Sequence, residues 1–170
     1  QILPGRDFEE NCHRVMDGEF CHYALGKLAS SSARLEPRMQ GNAMAEIFGA
    51  GGWAEDISWM KWVADSLLVR GVNFFVPHAY TTKDFPDPDC PPHLFAMGKN
   101  PQHPGMEKLY RHINRCAHLL TGGKSVVHTA ILYHAAAEWC GEAMLVQTPA
   151  KICMQQQVDF DFLSEDLLQE

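Results

Sequence analysis

The stretch from Asn42 to Tyr80 restricts the fold more than any other part of the chain. It begins with a small apolar run, Ala43 to Phe48, set between Gly41 and Gly49, which suits a short buried strand. Residues Ala54 to Arg70 follow, with Ile57, Met60, Val63, Ala64, Leu67 and Leu68 on one helical stripe and Gly71 as the stop. The run VNFFV then reads as a strand buried on both faces. Strand, helix and strand in this order make a βαβ unit, whose strands are parallel and whose crossover is right-handed. Parallel sheets carry their chemistry at the carboxyl ends of the strands. Glu46, Trp53, His78 and Tyr80 all stand there.

Around this unit the pattern is less regular. Asp7 and Glu10 predict a helix start near Phe8. Cys21, Ala24, Leu25, Leu28 and Ala29 predict a helical face that fades in the polar run SSSAR and stops before Pro37. The proline-rich segment from Pro77 to Gly105 forbids regular helix, and long ordered loops in compact domains are often functional. A helix is predicted from Met106 through Leu109, Ile113, Cys116, Ala117 and Leu120 to Thr121-Gly122-Gly123. VVHTAIL reads as a strand, AAAEWCGEAM as a loop, Pro149 to Gln156 as a helix capped by Thr148, VDFDFL as a strand, and SEDLLQE as the start of a last helix. The Gly122-Gly123 pair is the expected boundary between two lobes.

A formal charge of -7, from 21 acidic and 14 basic residues, leaves no basic stripe to neutralise phosphates, so nucleic acid is not an expected partner. No apolar run approaches the roughly 20 residues that span a bilayer, so no membrane partner is expected either. Six cysteines without a C-x-x-C pair suggest buried free thiols, a usage that favours a reducing, cytoplasmic compartment over a secreted one. The chain begins at Gln1 with no signal-peptide pattern, and it reads as a mature or excised piece.

Glu46 sits in an apolar, glycine-flanked run, where a carboxylate is costly unless it is paired or used. It is read either as a strand-end acid paired to Arg38 or Arg70, or as a glycosidase-type nucleophile or general base. The second role needs another carboxyl group roughly 5 to 10 Å away, and none stands out in the same segment. Trp53 and Trp59 suit stacking on a sugar face or plain packing. His78 and Tyr80 carry polar tips suited to hydroxyl recognition. Asp84, Asp87 and Asp89 lack the glycine and terminal Glu of a calcium loop and read as turn formers. No HExxH metal motif occurs, and GAGGW is only a partial match to phosphate-binding loops, which leaves a nucleotide-binding domain as a distant alternative.

AEIFGAGGW, RGVNFFVPHAY, FPDPDCPPH, NRCAHLLTGG and AILYHAAAEW together resemble the end of bacterial multidomain glycoside hydrolases of the family 106 type, described with a family 2 sugar-binding domain. A more distant resemblance is to family 42 β-galactosidases. The resemblance covers residues 23 to 163. It implies an α/β chain in which residues 1–122 form the closing βα units of a (β/α)8 barrel and residues 123–170 begin a flavodoxin-like lobe. Ala43 to Phe48 would be barrel strand seven and Val72 to Pro77 strand eight, with Met106 to Leu120 the final helix.

On that resemblance Glu46 holds the catalytic strand-seven position, with calcium coordination as its other role, and Trp53, His78 and Tyr80 shape a carbohydrate site. No other cofactor is implied. A whole barrel needs about 250 residues, so the expectation is a fragment of a glycosidase that is inactive alone. The competing expectation is a non-catalytic carbohydrate-binding or oligomerisation domain, with a sister subunit as partner.

Overall fold

The computed structural model describes residues 24–49, 51–89 and 91–168. The helix expected near Phe8 lies outside them. The described chain is mixed α/β, with helices packed against short parallel strands. In order, it runs α1 (Leu25–Leu35), β1 (Met44–Ile47), α2 (Ile57–Leu68), β2 (Phe74–Pro77), α3 (His103–Leu120), β3 (Ala130–Tyr133), α4 (Ala135–Cys140), α5 (Gln147–Gln155) and β4 (Asp161–Ser164). Strands β1 and β2 pair in parallel with Glu46 opposite Val76 and Ile47 opposite Pro77. Strands β3 and β4 pair in parallel with Ile131 opposite Phe162.

The predicted stripe forms α2 as expected. Asp56 caps it by accepting the Trp59 amide at 2.7 Å, a bond that satisfies one of the free N–H groups of the first turn. Met60, Val63, Ala64 and Leu67 are buried with Ile47, Phe48, Val72, Met106, Leu109 and Ile113 in one core. Gly71 takes φ of +90° and lets the chain turn out of α2 into β2. Helix α3 starts earlier than expected, with Pro104 in its first turn, and its buried side is Met106, Leu109 and Ile113. Leu120 is exposed rather than packed.

Strand β2 departs from the expectation of burial on both faces. Phe75 packs against the core, but Phe74 and Val76 are 57% and 42% exposed, and Met44 beside them is 57% exposed. With two strands in the sheet, only the face turned to α2 and α3 is covered.

The second core joins Ile131, Val146, Ala150, Phe160 and Phe162 with Ala24, and Leu28 packs against it, so it draws on residues ahead of β1. Helix α1 does not fade at the serines. Its buried side is Gly26, Lys27, Ser30, Ser31 and Ala33, small or polar residues that allow close approach to β4. Ser31 Oγ donates to Asp161 Oδ1 at 2.8 Å and accepts the Phe162 amide at 2.9 Å. Arg34 pairs with Asp161, and Lys27 Nζ lies 2.7 Å from Asp159 and 3.9 Å from Asp161. AAAEWC is helix α4 rather than loop, and Thr148 lies inside α5 instead of capping it. Within the closing SEDLLQE, the described residues Asp166–Leu168 form a 3-10 turn where the start of a helix was expected. Among the described residues, no helix is long and apolar enough to cross a membrane.

Candidate functional site

The carboxyl ends of β1 and β2 meet the two longest connections of the first sheet. His78 donates its amide to the Ile47 carbonyl at 2.7 Å, which extends the pairing just past the strands. A strand spacing of about 4.8 Å and a rise of about 3.3 Å per residue put the Cα atoms of Glu46 and His78 roughly 8 Å apart. The proline-rich segment is held onto the β1–α2 connection by the Gly52 amide, which donates to the Pro91 carbonyl at 2.9 Å, and it is closed on itself by the Leu94 amide, which donates to the Ala79 carbonyl at 3.0 Å. Gln102 clamps the same edge, donating to the Glu55 carbonyl at 2.9 Å and accepting the Ile57 amide at 2.9 Å.

Inside this frame lies a carboxyl group that the sequence reading passes over. Glu55 is 5% exposed, and both of its carboxyl oxygens are buried without a hydrogen-bond partner. It lines a cavity of ≈ 310 Å³ with Gly51, Ala54, Asp56 and Trp59. Desolvation alone pushes its pKa up to about 8, because burial penalises the charged form and no cation offsets it. At neutral pH Glu55 is therefore a protonated acid able to give up a proton. Gly51 makes room for it: a Cβ at that position would stand 1.8 Å from Glu55 Oε2.

Glu46 is solvent-exposed, on the same open face of the sheet as Met44, Phe74 and Val76. Neither cation proposed as its partner reaches it, since Arg38 pairs with Glu36 and Arg70 donates to the Ser66 carbonyl. Trp53 is 40% exposed, and its ring stands edge-on to Phe85 and His93 with centroids 5.6 and 5.9 Å away. Trp53 is thus gathered with the proline-rich segment at the site. His78 is half-buried with Nδ1 unpartnered, whereas Tyr80 is 70% exposed.

Of the aspartates in the proline-rich segment, Asp87 caps the loop, one of the roles expected of them. Asp87, buried, accepts the Asp89 amide at 3.1 Å and the Thr81 hydroxyl at 3.0 Å. The Asp89 amide bond and then the Thr81 hydroxyl bond hold its carboxyl below the usual range against the opposing effect of desolvation. His93 is buried beside it, with Nε2 2.7 Å from the Asp89 carbonyl and Nδ1 unpartnered. No group of three or more His, Cys, Asp or Glu among the described residues is placed to hold a metal ion.

Chemically, the edge offers a buried neutral acid in a cavity that Trp59 also lines, and an exposed carboxylate, Glu46, on strand β1. Glu55 was traceable in the sequence only as an acid between Trp53 and Trp59 and just ahead of the helix cap. No family model, no curated protein and no solved structure matches the chain.

Proposed function

We propose that the chain supplies one side of the catalytic end of a glycoside hydrolase, with Glu55 as general acid and Glu46 as its carboxylate partner. The observation that carries this reading is Glu55, an unpartnered acid with its pKa pushed up to about 8, lining a cavity together with Trp59. Glycoside cleavage needs one protonated carboxyl group to give a proton to the leaving oxygen and one carboxylate to serve as nucleophile or base. Perturbed acids of this kind concentrate at functional sites. Trp53 and Trp59 supply faces for a sugar ring, and His78 and Tyr80 supply hydroxyl contacts.

The exposed apolar face of β1 and β2 supports completion of the sheet by further strands, as in a (β/α)8 barrel with the β3–β4 unit starting a flavodoxin-like lobe. Apolar strand faces are costly to leave in water. The same face also supports the second reading, in which it packs on a sister subunit around a non-catalytic carbohydrate site.

The test is hydrolysis of alkyl glycosides, whose leaving oxygen needs a proton, by the full-length protein carrying Glu46→Gln or Glu55→Gln. Losses of at least about a hundredfold in both are expected, the scale of general acid–base contributions. Unchanged hydrolysis in both variants would sink the catalytic reading and leave the binding one. If Glu46 instead holds calcium, a chelator abolishes activity and added calcium restores it.

A further inference from the structure

Away from the site, helices α2 and α3 carry a second cluster of reactive groups. The two helices run side by side in the same direction: Ile57 meets Gly105 near their starts and Asp65 meets His112 farther along. Cys116 lies about 16 Å beyond Gly105 at 1.5 Å per residue, toward the end of α3 and far from Glu55. His112 Nε2 stands 2.7 Å from Asp65 Oδ1, and His112 Nδ1 stands 3.9 Å from Cys116 Sγ. With Asp65 accepting from Nε2–H, the neutral ring presents its lone pair at Nδ1, toward the thiol. Lys61, one turn before Asp65, pairs with the same carboxylate. Desolvation works to raise the Asp65 carboxyl, but the hydrogen bonds from Lys61 and then His112 outweigh it and hold it below its ordinary value.

We propose that Cys116 is a nucleophilic thiol that exchanges with low-molecular-weight disulfides, with His112 as its base and Asp65 as the group that orients that base and stabilises the imidazolium once it has taken the proton. The arrangement is that of a nucleophile, a base within reach and a third group holding the base. In the reaction the Cys116 S–H proton passes to His112 Nδ1. The thiolate attacks one sulfur of the disulfide, forming a new S–S bond while the old one breaks. The departing thiolate takes the proton from His112. Cys116 is oxidised to a mixed disulfide, and the other half of the reagent is reduced to a thiol, so electrons and protons balance.

The geometry distinguishes Cys116 from the other described free thiols. Cys140 is exposed and Cys153 is half-buried against the second core, and among the described residues neither has a histidine within bonding distance. Exposure alone would rank Cys140 as the most reactive of the three. An activating base would instead put Cys116 first.

The experiment treats the native protein with oxidised glutathione at pH 7 and follows each cysteine by mass spectrometry over time. Cys116 is expected to form the mixed disulfide at least about fivefold faster than Cys140, because His112 stands ready to take its proton as it attacks. His112→Gln is expected to bring Cys116 down to the Cys140 rate, and Asp65→Asn to slow it at least about twofold. Both side chains lie at the surface, and an unchanged thermal midpoint shows that each variant is folded. A Cys116 rate at or below that of Cys140, or one unmoved by His112→Gln, overturns the proposal.

Discussion

Replacing Glu55 by glutamine changes the protein's response to pH more than any other single substitution at the site. In the folded chain the Glu55 carboxyl keeps its proton up to about pH 8, against an ordinary value of 4.5. Between those values the folded state binds a proton that the unfolded chain has released. Stability therefore falls as pH rises through this window and levels off above it. At about 1.4 kcal/mol per pH unit, the interval amounts to roughly 3 to 5 kcal/mol, a large share of the 5 to 15 kcal/mol that a domain typically holds. Urea unfolding from pH 4.5 to 9 measures it directly. The native protein should lose that amount across the window, while Glu55→Gln, which keeps the shape and cannot ionise, stays flat from this cause and is the more stable protein at pH 8. Parallel curves for the two would refute the claim that Glu55 is buried and neutral.

Three further outcomes follow from the same geometry. Gly51→Ala would drive a methyl group into Glu55, so the carboxyl must leave its cavity; its NMR titration midpoint should fall toward the ordinary value near 4.5. Asp161→Ala would strip Ser31 and Arg34 of a shared acceptor and leave Lys27 to Asp159 alone, and should cost about 1 to 3 kcal/mol in chemical unfolding, the usual consequence of leaving buried donors unpaired. Hydrogen bonding to the Met144 carbonyl and then the Leu132 carbonyl holds His134 above its usual pKa of 6.5. Its contribution is full below 6.5 and lost as pH rises through the higher folded value, so hydrogen exchange around Met144 should quicken over that range, and His134→Gln should remove the dependence.

The β1–α2–β2 unit was legible because helical and strand periods are written separately in it, and Gly71 marks the turn between them. Burial of β2 was not. An apolar run such as VNFFV looks the same whether both faces are covered or one waits for a neighbour, so exposure of Phe74 and Val76 is a fact of sheet size. Helix α1 persists through Ser30 to Ser32 because Ser31 finds Asp161 far along the chain, and no local pattern carries that bond. Helix α4 is written in its three alanines, strong helix formers, but at six residues it is too short to show a helical period. Glu55 carries no local mark, because it sits in a connection whose burial depends on the distant proline-rich segment folding over it.

The central claim is that Glu55 gives a proton to the departing sugar oxygen, and leaving-group dependence tests it most directly. In the full-length protein, Glu55→Gln should lower hydrolysis of an alkyl glycoside by at least about a hundredfold yet spare a dinitrophenyl glycoside, whose leaving group departs without a proton. Equal losses on both substrates, or none on either, would contradict the assignment.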